Sequence, residues 1–149
     1  MNAVCVLKCS RDREHGSVTF RQEGKEVIIS IKVQNIAPGA HGIHIHRSGN
    51  IQNAPTSLCD HYNPTKKSHG GLKGESHAGD LGNIVVPSSR IVNMTISTNK
   101  FTVKEILGRS VVIHENEDDL GKGSHPESKI TGNSGGRILW GLIGISESC

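Results

Sequence analysis

Aromatic side chains are scarce: Phe20, Phe101, Tyr62 and Trp140 make up 3% of the 149 residues. So sparse a set excludes the stacking platforms that hold single-stranded nucleic acid. Charge of one sign is scarce too, since 17 basic and 14 acidic side chains leave a formal net charge of +3. That excess is too small for a dedicated nucleic-acid or anionic-membrane surface. No apolar run approaches the roughly 18 residues of a membrane-crossing helix. Cysteine is limited to Cys5, Cys9, Cys59 and Cys149, with no CxxC pair. A disulfide scaffold, a cysteine zinc finger and a thioredoxin-like motif are therefore excluded. The first residues turn polar at Lys8, before the apolar region of a secretory leader could form, so a cytoplasmic setting is expected, for a cellular or a virus-encoded product alike. In that setting the Asn93-Met94-Thr95 glycosylation triplet has no consequence.

What is present is glycine and a period of two. Eighteen glycines punctuate short apolar runs, and Val27, Ile29, Ile31 and Val33 alternate with Ile28, Ser30 and Lys32. Similar runs at Ala3 to Lys8, Ser17 to Gln22, Ala40 to His46, Asn83 to Val86, Ile91 to Thr98, Ser110 to His114 and Ile138 to Ile145 predict about eight strands. No helix longer than a turn or two is expected. The pattern predicts one all-β domain over residues 1–149, a sandwich or barrel of packed strands. Two long segments, Arg47 to Gly82 and Glu115 to Gly136, break the rhythm, and loops of that length in a compact domain are usually functional.

Histidine is abundant, and seven of the nine, His41, His44, His46, His61, His69, His77 and His114, fall between positions 41 and 114. His44 and His46 stand two apart on a strand, so their rings project from one face while Ile43 and Ile45 point to the other. His114 ends a second strand and can close the same site. Imidazoles held on rigid strands suit copper or zinc. The first long loop adds His61, His69, His77 and Asp80, and three imidazoles with one carboxylate match a closed tetrahedral zinc site.

These segments resemble the Cu/Zn superoxide dismutase family along nearly the whole chain. The resemblance runs from Ala3-Val4-Cys5-Val6-Leu7-Lys8 through His41-Gly42-Ile43-His44-Ile45-His46, His61-Tyr62-Asn63-Pro64, His69-Gly70-Gly71 and Gly79-Asp80-Leu81-Gly82-Asn83. It continues through His114-Glu115 and Asp118-Asp119-Leu120-Gly121-Lys122-Gly123 to Gly141-Leu142-Ile143-Gly144-Ile145. It implies an eight-stranded antiparallel Greek-key barrel, immunoglobulin-like, with two long functional loops. It further implies copper on His44, His46, His61 and His114, and zinc on His61, His69, His77 and Asp80, so that His61 is shared. Asp118 matches the family's carboxylate behind the ligands His44 and His69, and His41 matches a structural histidine. Arg137 and His61 match the catalytic residues, the first guiding the anion and the second handling a proton. The implied reaction converts superoxide to oxygen in one half-step and to hydrogen peroxide in the other. A silent relative that merely buffers copper or zinc is the alternative, and such relatives usually lose ligands or the arginine. The implied partners are superoxide, a second copy of the chain and a copper chaperone.

Three departures from the family stand out. Pro55 and Trp140 occupy the two positions of the family's usual disulfide, so packing of Trp140 is expected to hold the first loop instead. In the charged loop, Pro126 takes the place of a glutamate and Ile130 that of a lysine, with Lys129 displaced by one and Lys122, Glu127 and Thr131 kept. Arg47-Ser48 stand where dimerising relatives place an acidic and an aromatic residue, although Val6, Leu142, Ile143 and Ile145 are expected to keep an apolar pairing surface.

Overall fold

The alternation of apolar and polar residues folds into strands that hide one face each. A computed structural model describes all 149 residues. Its strands are β1 (Asn2–Lys8), β2 (Glu14–Glu23), β3 (Glu26–Gln34), β4 (Gly39–His46), β5 (Asp80–Val86), β6 (Ile91–Thr98), β7 (Ser110–His114) and β8 (Arg137–Ser146). In β3 the residues Val27, Ile29, Ile31 and Val33 are buried, as the period of two requires. Removing each such side chain from water contributes roughly 1.5–3 kcal/mol.

All pairs are antiparallel, in the order β5-β4-β7-β8-β1-β2-β3-β6, and β5 and β6 approach each other so that the sheet nearly closes into a barrel. The neighbours β4 with β7, β8 with β1 and β3 with β6 are distant in sequence, which is the Greek-key wiring. The core is filled by Leu7, Val18, Phe20, Ile29, Ile31, Ile43, Ile45, Ile84, Ile113 and Leu139.

The first long segment contains a 3-10 turn over Thr56–Leu58, and the second contains a one-turn helix, Ser128–Thr131. A further one-turn helix, Val103–Ile106, separates β6 from β7 and carries a capping box between Thr102 and Glu105. Two expectations need correction. The first loop ends at Gly79 rather than Gly82, because Asp80 already pairs with His44 in the β4–β5 ladder. Ile143 is not on the outer surface: it points into the core at 1% exposure, whereas Leu142 beside it is 45% exposed.

Candidate metal centre

Strand β4 runs buried along its second half, with Ile43 and Ile45 in the core and His44 and His46 on the opposite face beneath the loops. Strand β7 pairs with β4 and delivers His114 to the same place. His61 arrives from the loop and makes an isolated bridge with His46. Side-chain nitrogens of His44, His46, His61 and His114 thus lie within 4.8 Å of one another, all four residues buried.

Hydrogen bonds decide which nitrogen of each ring is free. His46 Nδ1 donates to the Cys59 carbonyl at 2.7 Å and His114 Nδ1 donates to the Gly135 carbonyl at 2.9 Å. His44 Nε2 donates to Asp118 Oδ2 at 2.6 Å. A neutral imidazole that donates through one nitrogen offers a lone pair on the other. The remaining atoms, His44 Nδ1, His46 Nε2 and His114 Nε2, are buried and have no hydrogen-bond partner. Three buried lone pairs that converge without a donor are costly unless a cation satisfies them.

A second cluster abuts the first. His61 Nδ1 lies 3.1 Å from His77 Nδ1 and 3.0 Å from Asp80 Oδ1. His69 Nδ1 and His77 Nδ1 lie 3.0 and 3.3 Å from the same Asp80 oxygen. Around a tetrahedral zinc with bonds of about 2.0–2.1 Å, donor atoms sit roughly 3.3 Å apart, close to this spacing. His69 Nδ1 makes no hydrogen bond with Asp80 despite its proximity, as expected of atoms facing a common ion. The donors that all lie within 4.8 Å of one another here are those of His44, His61, His69 and Asp80, and His77 joins through its approaches to His61 and Asp80; the free Nδ1 of His44 is counted with the first set. The donor chemistry therefore fits two cations, one among four imidazoles and one among three imidazoles and a carboxylate, with His61 between them.

Sequence comparison bears on which cations these are. Residues 14–143 match the family model described as copper/zinc superoxide dismutase. The chain is 46% identical over 136 residues to a protein named extracellular copper–zinc superoxide dismutase from Drosophila melanogaster, covering 87% of this chain and 75% of that protein. It is 40% identical over 153 aligned positions to a copper–zinc superoxide dismutase of Dictyostelium discoideum, covering 99% of each. The chain belongs to the copper/zinc superoxide dismutase family. As a member it is an oxidoreductase acting on superoxide, with copper and zinc as its metals.

The electrostatics of this dismutase site keep the four imidazoles of the first set neutral and ready to donate lone pairs, whereas His69 is pushed the other way. Burial, followed by the neighbouring imidazoles, holds His44 and His46 well below the usual histidine range, and burial lowers His61 despite Asp80. Burial outweighs the Gly135 hydrogen bond at His114 and brings its pKa down to about 4. At His69 burial is overcome by Asp118 and Asp80, which push it up to about 9. Burial alone would raise Asp80 and Asp118, yet the surrounding imidazoles hold both well below the carboxylate range.

Asp118 links the two clusters, accepting from His44 on one oxygen and from His69 Nε2 at 2.7 Å on the other. The close pass of the chain at Gly132, φ +76°, leaves no room for a Cβ over this bond. His41 serves as a tie, with its ring nitrogens 2.8 Å from the His114 carbonyl and 2.7 Å from that of Ala37. Arg137 is half-buried at the start of β8 and donates to the Pro55 and Cys59 carbonyls, both at 2.7 Å. It lines a cavity of about 680 Å³ together with His46, His61, His114, Lys67 and Lys129.

Several supporting residues escape sequence reasoning. Asn83 binds the Asp118 backbone twice, at 2.7 and 2.9 Å, and Asp80 Oδ2 accepts from the Gly70 and His77 amides, both at 3.0 Å. These side chains clasp main-chain atoms, Asp80 in addition to the ligand role its sequence position implies, and a bond to backbone leaves no pattern in the sequence of its partner. Arg47, noted for its departure from the family, lies at the rim of the same cavity. The four cysteines are all free.

Proposed function

We propose that His44, His46, His61 and His114 hold copper, that His61, His69, His77 and Asp80 hold zinc, and that Arg137 and His61 carry the dismutation of superoxide. The orphaned nitrogens of His44, His46 and His114 are the observation on which this reading rests. When bound, copper supplies the one-electron redox change and zinc fixes the loop and the shared ring.

The chain's own residues do the rest. Arg137, permanently charged, draws the anion into the cavity and orients it beside the four imidazoles. Lys67 and Lys129 add positive charge to the lining, offset by Asp60 and Glu127. His61 Nδ1 is turned toward the zinc set, so Nε2 is the atom that would take a proton from solvent in the first half-reaction and give it up in the second, the other proton of hydrogen peroxide coming from water. Asp118 fixes the tautomers of His44 and His69. Anomalous scattering from crystals of the loaded protein, recorded at the copper and zinc edges, tests the assignment. Copper is expected at the first set and zinc at the second, and either metal elsewhere contradicts it.

We read residues 1–149 as one domain, since a single sheet runs from Asn2 to Ser146. We infer a homodimer paired through Val6, Leu142 and Ile145, which are 41%, 45% and 57% exposed. Sedimentation of the loaded protein and of Leu142→Lys checks this; a monomeric parent contradicts it. The four free thiols support a reducing, cytoplasmic setting, although the fly relative is named extracellular. Fractionation of the producing cells tests it, with recovery in the medium the contrary result. Delivery of copper by a chaperone is a further proposal from the family, tested by copper content of the protein made with and without such a partner.

A further inference from the structure

Three of the four residues assigned to zinc lie within one glycine-rich excursion, His69 to Asp80. Its stem is closed by Ser76 Oγ, which donates to the Gly71 carbonyl at 2.8 Å, next to the ligand residues at 69 and 77. From outside the excursion, Lys100 reaches in. Its Nζ donates to the Gly71 carbonyl at 3.0 Å and also to Ser76 Oγ. Lys100 follows β6 on a rigid mount: its own amide is bonded to Thr98 Oγ1 at 3.2 Å, and the adjacent Phe101 is 2% exposed.

The lysine is half-buried and makes no ion pair, which is an unusual place for an ammonium on a long flexible stem. Its two contacts are to neutral oxygens at the neck of the loop. Two donated bonds at that neck fix the distance between the backbone before His77 and the backbone after Gly70. That spacing sets where His69 and His77 converge on Asp80.

We propose that Lys100 is a positioning residue for the zinc site, a latch from the β6 turn that holds the Gly71–Ser76 neck closed and slows zinc release. The inference rests on the zinc assignment above. Partners bonded directly to a metal's ligands typically change its affinity by about 10–100-fold when removed, and Lys100 acts one bond further out, so its effect is expected at or below the lower end of that range.

The test is zinc release from the copper- and zinc-loaded full chain to a chromogenic chelator, with copper release followed on the same samples. Lys100→Met is expected to release zinc up to about ten-fold faster with copper release unchanged, and Lys100→Arg, which can still donate to Gly71, is expected to restore slow release. Ser76→Ala provides a second route should Lys100→Met fold poorly, and the double variant is expected to release zinc no faster than the faster single one. Zinc release at the parent rate in Lys100→Met, or equal acceleration of zinc and copper, overturns the latch. A parent protein that takes up no zinc at these residues instead removes the zinc assignment, and the latch with it.

Discussion

Arg137 and His46 share a single acceptor: Arg137 Nη2 and His46 Nδ1 both donate to the Cys59 carbonyl at 2.7 Å. The first long loop therefore holds the guanidinium proposed to guide the anion and an imidazole of the first histidine cluster through one oxygen. A second carbonyl of that loop, at Pro55, accepts Arg137 Nη1. Whatever holds this loop in place also holds the positions of Arg137 and His46.

No disulfide does so, since all four cysteines are free. Trp140 is half-buried on the outer face of β8 and lines a groove of about 530 Å³ with Ile51 and Ala54 of the loop. Trp140→Ala is expected to cost about 1.5–3 kcal/mol, less than the loss for a fully buried ring, and to lower activity through Arg137. Denaturant unfolding of parent and variant, with rates measured at equal metal content, checks this. Undiminished stability would contradict the packing account, and so would a parent melting temperature that falls on adding a thiol reductant.

Asp118 grips His44 and His69 at once. Asp118→Ala is expected to weaken both metals by about 10–100-fold each. Metal content after dialysis against a graded chelator series reads this out; loss of one metal alone would break the proposed link.

Acid is expected to destabilise the metal-free protein. His44, His46, His61 and His114 are all depressed by burial, His114 to about 4, so between pH 6.5 and 4 the unfolded chain binds more protons than the folded one. Stability then falls as pH falls through that window. Asp80 and Asp118, depressed by their imidazole partners, act in the same direction below the usual carboxylate range. His69, raised to about 9, adds stability below pH 6.5 that is lost as pH rises toward 9. Melting temperatures of the metal-free protein at pH 7, 5.5 and 4.5 test the sign, and a flat or rising trend toward acid contradicts it.

Metal removal from the loaded protein is expected to lower stability by RT ln(1 + [L]/Kd), about 4 kcal/mol at a thousand-fold excess over Kd. Calorimetry before and after a chelator measures it. An unchanged transition would mean that the two clusters hold no ion in the folded state.

Much of this was legible in the residues. Each expected run falls within one of β1 to β8 because alternation reports burial directly, and the spacing of His44 and His46 fixes a shared face. Less legible was anything set by backbone atoms: the Cys59 and Pro55 carbonyls, the Asn83 clasp on Asp118 and the Gly71–Ser76 neck. A single aspartate at a strand start carries no period, so the pattern alone leaves Asp80 in the loop. The helix Val103–Ile106 left a readable sign in Thr102 and Glu105, three apart, that a search for period two passes over. An apolar run at the end of β8 does not reveal which parity faces inward, and the structure turns Ile143 to the core.

The most direct test is superoxide consumption by protein whose copper and zinc have been counted on the same sample, with Arg137→Ala beside it. The account predicts fast, copper-dependent consumption at one copper and one zinc per chain, falling about ten-fold or more in the variant as steering is lost. Full occupancy of both metals without consumption of superoxide would contradict it.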